Sequence, residues 1–285
     1  MSQLMSPTSP LVSVILPIKD CNSCFLEKSV GSILGQTLTD LELLVIIDAD
    51  TYSIDKQVLN VFEKFDDERI RIVPSKKEGF VEALNTGILA AKGTYLARMD
   101  GDDISSLDRL KLQIEIIERE KVDFVGGWAY VIDEQGETVG TLMPPTDARQ
   151  IKRMIMLHNP FLHSSVTFKK SILKHSGLYN PALFGAEDYD LWLRIVSLGY
   201  TCINMSNFVL YLREARNSIV RGSMWQKTRT NYAKAKVLGL ARLGYTDPLS
   251  IASCLAGPFS VMIGPDTALH LKSLLRWFEK TSYNQ

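Results

Sequence analysis

The chain has 285 residues, 46% of them hydrophobic, with 32 Lys plus Arg against 32 Asp plus Glu. That is enough apolar material for a sizeable core in one large domain, or in a domain with an appendage, and it excludes disorder and collagen-like repeats. A formal net charge of zero removes the basic surface that nucleic-acid binding needs to displace counterions.

Cys21, Cys24, Cys202 and Cys254 are too few and too irregularly spaced for a disulfide scaffold. Residues 1–10 are polar, without the basic-then-apolar order of a signal peptide, and read as a flexible N-terminus. The longest nearly uncharged stretch, Leu249 to Gly264, is broken by Gly257 and Pro258 and is too short to span a bilayer. The expected location is therefore the cytoplasm.

From Leu11 a β-branched apolar run reads as a strand buried on both faces. Asn22 can cap a helix whose apolar positions Leu26, Val30, Ile33 and Leu34 recur at helical spacing. A second strand, Leu43 to Ile47, runs into Asp48 and Asp50, and a helix spans about Ile54 to Phe65. Ile70 to Val73 is a third strand, Gly79 to Ala91 a third helix, and Thr94 to Met99 a fourth strand ending at Asp100. Such alternation predicts an α/β fold with a mostly parallel central sheet flanked by helices.

Beyond Arg119 the pattern changes to an antiparallel pair, Val122 to Ile132 and Glu137 to Leu142, around a Glu-Gln-Gly turn. A strand candidate at Ser165 to Phe168 and a helix from Glu187 to Ser197 follow. The simplest division is a domain over residues 11–220 and a helical C-terminal extension over residues 221–285.

In open α/β sheets ligands sit outside the carboxyl ends of the strands, where Lys19, Asp48 and Asp100 fall. Arg98-Met-Asp-Gly-Asp-Asp103 puts three carboxylates within four residues. Such a group suits a hard cation such as Mg²⁺ or Mn²⁺, and Gly101 lets backbone approach a ligand. A solvated Asp-Gly turn, or a cap for a helix from Ser105 to Glu118, is the competing reading. Glu187 and Asp188 begin an amphipathic segment, where acids also favour the helix dipole.

The run Val12 to Lys19, the strand ending in Asp48, Asn85-Thr-Gly87, Asp100-Gly-Asp102-Asp103 and Ala186-Glu-Asp-Tyr-Asp-Leu-Trp-Leu-Arg194 together resemble family 2 glycosyltransferases. The resemblance covers Val12 to about Arg213. It implies a GT-A fold, a nucleotide-sugar donor (UDP-linked), a divalent cation (Mn²⁺ or Mg²⁺) and inverting transfer of one sugar to a glycan or lipid-linked saccharide, as in cell-surface polysaccharide biosynthesis. It further implies that Asp48 reads the base, with Pro17 and Lys19 beside it, and that Asp100 and Asp102 hold diphosphate and metal, Asp102 as the direct ligand. Many relatives have two adjacent Asp after the second strand; here Ile47 takes the first place and Asp50 is added.

Asn85 either meets the donor or packs beneath the donor loop. Arg98 either stabilises phosphate or pairs with an Asp. Inversion needs a base for the acceptor hydroxyl; the resemblance implies Asp188, with Glu187 assisting acceptor binding or serving as the base instead. His163 stands where relatives often have His near the acceptor, or is a packed core histidine.

Asp266 to Lys280 has an amphipathic helical pattern that either packs on its own domain or, with Lys227, Arg229, Lys234 and Lys236, rests peripherally on an anionic membrane. Ser273 to Trp277 lacks the Gln of the Gln-x-x-Arg-Trp motif of processive synthases. The rival readings are a Cys21-Asn-Ser-Cys24 redox dithiol, and a nucleotide-sugar-binding protein or nucleotidyltransferase without glycosyl transfer.

Overall fold

In the computed structural model, the structure is described for residues 9–18, 22–47, 56–214, 225–246, 248 and 250–254. The first half alternates strand and helix: β1 (Val12–Ile18), α1 (Ser23–Leu34), β2 (Leu41–Ile47), α2 (Lys56–Phe65), β3 (Ile70–Pro74), α3 (Phe80–Ala90) and β4 (Tyr95–Arg98). Then come β5 (Ile104–Ser105), α4 (Arg109–Glu120), β6 (Phe124–Ile132), β7 (Thr138–Leu142), α5 (Ala148–Met154), β8 (Thr167–Lys169), α6 (Leu173–Ser176), α7 (Glu187–Ser197), β9 (Cys202–Arg213) and α8 (Trp225–Leu243). Asn22 caps α1 as its position predicts, accepting from the backbone N–H groups of Cys24 and Phe25.

One sheet runs in the order β3-β2-β1-β4-β8-β6-β9-β5, with β7 beside β6. β3, β2, β1 and β4 are mutually parallel. Past β4 the directions mix, because β8 is antiparallel to both β4 and β6, whereas β6 and β9 run parallel. The apolar runs of β1 and β2 are continuous because both sheet faces are covered. Val12, Val14, Leu16, Leu43 and Val45 pack with α1, α2 and α4, whereas Ile15, Leu44 and Ile46 pack on the side of α3. Gly87 is where α3 comes closest: a β-carbon there would lie 2.6 Å from Ile15 Cγ2.

Two local expectations are corrected. The helix expected from Ser105 begins at Arg109, since Ile104 and Ser105 pair with Tyr211 and Leu210 of β9. Asp103 is therefore no helix cap; Asp108 occupies that place. β9 itself had no counterpart in the sequence reading: its twelve residues lack a regular alternation, because register shifts against β6 fall at Gly127, Trp128 and Ala129.

Under α7 the core is aromatic. Trp192 is buried and meets Phe124 edge-on at 4.6 Å, with Phe161, Phe168, Tyr179 and His163 around it. Burying such a ring yields roughly 4–6 kcal/mol by area. That exceeds the roughly 1–3 kcal/mol cost of its indole N–H, which finds no partner among the described residues.

Candidate active site

Parallel register brings the carboxyl ends of β1, β2 and β4 together: Ile18 lies opposite Ile47, and Ile15 opposite Arg98. Pro17 is buried at that edge. Lys19, Asp48 and Asp50 lie outside the described residues, as do Cys21 of the proposed dithiol and the amphipathic segment 266–280. Cys24 is an exposed free thiol.

The chain leaving β4 turns sharply, and ligand oxygens of Asp100, Asp102 and Asp103 lie within 4.8 Å of one another. Each acid is held differently. Asp100 pairs with the guanidinium of Arg98, and its carbonyl accepts the Ser29 hydroxyl of α1 at 2.7 Å. Buried Asp103 accepts the backbone N–H of Arg213 at 2.8 Å and a bond from Ser164. Asp102 is half-buried, and no bond to its carboxylate from another side chain is seen among the described residues.

Burial first, then the Asp100 and Asp102 charges, push Asp103 up to about 7, while burial and then Asp100 raise Asp102. Carboxylates crowded until they resist ionising are a donor set that a divalent cation relieves. The residues fit the cation that the resemblance implies.

Arg98 is 4% exposed. It lies over the Phe80 ring at 5.7 Å, and two of its nitrogens, Nε and Nη1, have no hydrogen-bond acceptor among the described residues beyond the ion pair that Nη1 makes with Asp100. Its charge also favours ionisation of Asp102, Glu187 and Asp188. Arg98 is thus ion-paired with the first carboxylate group and acts on the second through its charge alone, across about ninety residues of chain.

Glu187 and Asp188 open α7. Glu187 is 6% exposed, its carboxylate turned back onto the N–H of Gly185. Burial, then the Asp188 charge, push it up to about 7. Asp188 is half-buried and held by Asn159 Nδ2 at 2.8 Å and the N–H of Tyr189 at 2.6 Å. Burial raises it also, against those bonds. Of the two, Asp188 presents more surface to a substrate.

His163 Nε2 lies 2.9 Å from the Tyr179 hydroxyl, and burial, then the Arg98 charge, hold it well below its ordinary value, so it is neutral. Asn85 forms a reciprocal pair with the backbone of Tyr179, donating to its carbonyl at 2.9 Å and accepting from its N–H at 3.0 Å. Its amide is thereby committed to the arrangement beneath the site.

The sequence reading missed Arg213, Asn159, Tyr179, Ser164 and Ser29. Arg213 lies 4.0 Å over the Phe25 ring and donates from Nε to the Asp102 carbonyl at 3.0 Å. None stands in an acidic or glycine-marked motif; their roles depend on chain crossings.

Behind this site α8 packs on α7. Tyr232 stacks on Tyr189 at 5.2 Å, Asn231 donates to the Phe184 carbonyl, and Arg242 reaches Asp190 at 3.1 Å. Lys236, one of the cations considered for membrane contact, donates to the Leu157 carbonyl at 2.9 Å and to Ser253. Among the described residues no helix is long and apolar enough to cross a membrane.

Residues 13–177 match the profile described as "Glycosyl transferase family 2". The O-antigen biosynthesis glycosyltransferase WbnJ of Escherichia coli is 34% identical over 66% of this chain and 72% of its own. The amylovoran biosynthesis glycosyltransferase AmsE of Erwinia amylovora is 30% identical over 74% of this chain and 77% of its own. S. aureus TarS 1–349 in complex with UDP-GlcNAc superposes with a TM-score of 0.67 at 17% identity, over 92% of this chain and 76% of that one. The mannosyltransferase PcManGT from Pyrobaculum calidifontis, in complex with GDP-Man and Mn²⁺, gives 0.60 at 18%, over 95% and 81%. The chain has the GT-A fold and belongs to glycosyltransferase family 2.

Proposed function

We propose that this glycosyltransferase moves a single sugar, with inversion, from a UDP-linked donor to a hydroxyl of a glycan or lipid-linked saccharide in the synthesis of a cell-surface polysaccharide. The observation that carries the reading is the Asp100–Asp102–Asp103 cluster at the end of β4, whose ligand oxygens lie within 4.8 Å of one another beside the buried Arg98 that pairs with Asp100. Transfer requires opposite chemistry at two neighbouring places. Negative charge gathers on the departing nucleoside diphosphate, and a proton leaves the acceptor oxygen as it bonds to the anomeric carbon.

Asp102 is the proposed metal ligand, with Asp100 beside it held by Arg98. A divalent cation there, Mn²⁺ or Mg²⁺, supplies charge neutralisation for the leaving diphosphate. Asp188 is the proposed base, its carboxylate oriented by Asn159 and its proton affinity raised by burial. Glu187, turned onto Gly185, shapes the acceptor side. His163, neutral and bonded to Tyr179, lines the floor. Asp48, Lys19 and Pro17 are assigned to the base of the nucleotide. The biosynthetic roles in the names of WbnJ and AmsE support a saccharide acceptor.

The test is turnover of UDP-linked and GDP-linked sugars with Mn²⁺, reading nucleoside diphosphate release. Asp102→Ala is expected to abolish turnover and metal-dependent donor binding. Asp188→Asn is expected to keep donor affinity and lose transfer. Full activity of purified Asp102→Ala, or formation of pyrophosphate instead of nucleoside diphosphate, refutes the reading.

A further inference from the structure

The sheet face formed by β6 and β9 carries an aromatic row that the proposed chemistry does not use. Trp128 meets Phe208 edge-on at 5.5 Å, Phe208 stacks on Tyr130 at 4.1 Å, and Tyr130 stacks on Tyr211 at 5.3 Å. All four rings are half-buried. The register explains the row, since Trp128 lies opposite Phe208 and Tyr130 opposite Tyr211, with a bulge between them that keeps all four on one face. On the neighbouring edge strand Thr141 lies opposite Tyr130 and Val139 is 57% exposed, and Met143 just past the strand's end is 59% exposed.

Aromatic and apolar surface left open in this way marks a contact site, and its surroundings define the occupant. In a chain that is 22% charged, none of residues 124–132, 138–145 or 206–212 is Asp, Glu, Lys or Arg. Within these described segments an anionic lipid surface or a polyanion has no cation to pair with. A neutral saccharide fits: its polarised C–H face complements the negative face of an aromatic ring, and its hydroxyls find hydrogen-bonding partners in the phenols of Tyr130 and Tyr211 and in Thr141, opposite Tyr130. The rings are already locked against one another, so little rotamer freedom is lost on binding.

Both ends of the row lead into the candidate active site. Tyr211 pairs with Ile104, the residue after Asp103, and stands two residues before Arg213, which binds Asp103 and the Asp102 carbonyl. At the other end the Trp128 indole donates to the Pro144 carbonyl at 3.1 Å. Asn204 ties the Pro145 carbonyl to that of Pro160 at 2.7 and 3.0 Å, and the adjoining Asn159 holds Asp188.

We propose that Trp128, Tyr130, Phe208 and Tyr211 form a stacking platform that holds the non-reacting sugars of a neutral acceptor saccharide, so that its terminal hydroxyl reaches the Asp188 side of the site. This rests on the transferase reading above and extends it to the acceptor.

The test uses the full chain and a panel of neutral hexaoses of glucose, galactose, mannose and N-acetylglucosamine, titrated by calorimetry, with uridine diphosphate plus Mn²⁺ titrated separately. Wild type is expected to bind at least one hexaose. Tyr130→Ala, which removes the middle of the row, is expected to weaken it about tenfold or more, whereas Tyr130→Phe stays within about twofold, and uridine diphosphate binding is the same in all three. Tyr211→Ala gives the same reading should Tyr130→Ala lose uridine diphosphate binding through misfolding.

The proposal is overturned if no hexaose binds while uridine diphosphate does, or if the alanine variants bind hexaose as wild type does. It is equally overturned if the substitutions instead abolish a dimer seen by sedimentation or binding to phosphatidylglycerol vesicles. Failure of wild type to bind any nucleoside diphosphate with Mn²⁺ refutes the donor reading separately, leaving hexaose binding to be judged alone.

Discussion

Replacing Glu187 by glutamine removes a charge that the fold resists. Its carboxyl is buried and moves from an ordinary value of 4.5 to about 7, through burial first and the Asp188 charge second. A carboxyl with a higher pKa in the fold than in the unfolded chain keeps more protons in the native state, so stability falls as pH rises from 4.5 to about 7 and stays lower above. Each pH unit is worth about 1.4 kcal/mol, which makes the penalty above neutrality on the order of 3 kcal/mol. Glutamine keeps an oxygen to accept the Gly185 N–H and leaves the shape nearly unchanged. Glu187→Gln is therefore expected to be more stable than wild type by that order at pH 8, and equal to it near pH 4. The assay is urea unfolding followed by circular dichroism in EDTA across this range. A variant no more stable than wild type at pH 8 refutes the argument and means that Glu187 is already neutralised by contacts in solution.

Three further outcomes follow from other parts of the site. Because burial raises Asp102 and Asp103 reaches about 7, and carboxylate ligands must be deprotonated, Mn²⁺ affinity is expected to rise between pH 5.5 and 8; a pH-independent affinity by calorimetry counts against the cluster. Asn85→Ala leaves the N–H and carbonyl of Tyr179 without their partner and is expected to destabilise by about 2 kcal/mol or more, with donor affinity changed less than about twofold. A large loss of donor affinity at unchanged stability would instead mean that Asn85 touches the donor. Gly87→Ala drives a methyl to 2.6 Å from Ile15 and 3.1 Å from Ile46 and is expected to cost about 1–3 kcal/mol in urea unfolding; unchanged stability would show that α3 can shift away from the sheet.

The first half of the fold was legible because its signals are local. β1 and β2 are short β-branched runs buried on both faces and β4 is a short buried run, their helices have caps or 3.6-residue spacing, and each strand ends in polar residues. The Asp100–Asp103 cluster and Glu187–Asp188 were legible for the same reason: acids adjacent in the chain stay adjacent in the fold. Beyond β4 the signals fade. β5 is two residues long, and β9 is bulged, so neither shows a period that a sequence window detects.

The sequence by itself determined which residues carry the acids and where strand ends would expose them, because chain neighbours and apolar periodicity survive folding. Only tertiary structure decided that Arg98 is buried over Phe80 beside Asp100, that Asn85 is spent on Tyr179, that Arg213 holds Asp102 and Asp103 across more than a hundred residues, and that four scattered rings form one row. Those contacts depend on sheet order and register, which are set by how strands distant in the chain bury their faces against one another, and no spacing along the chain encodes them.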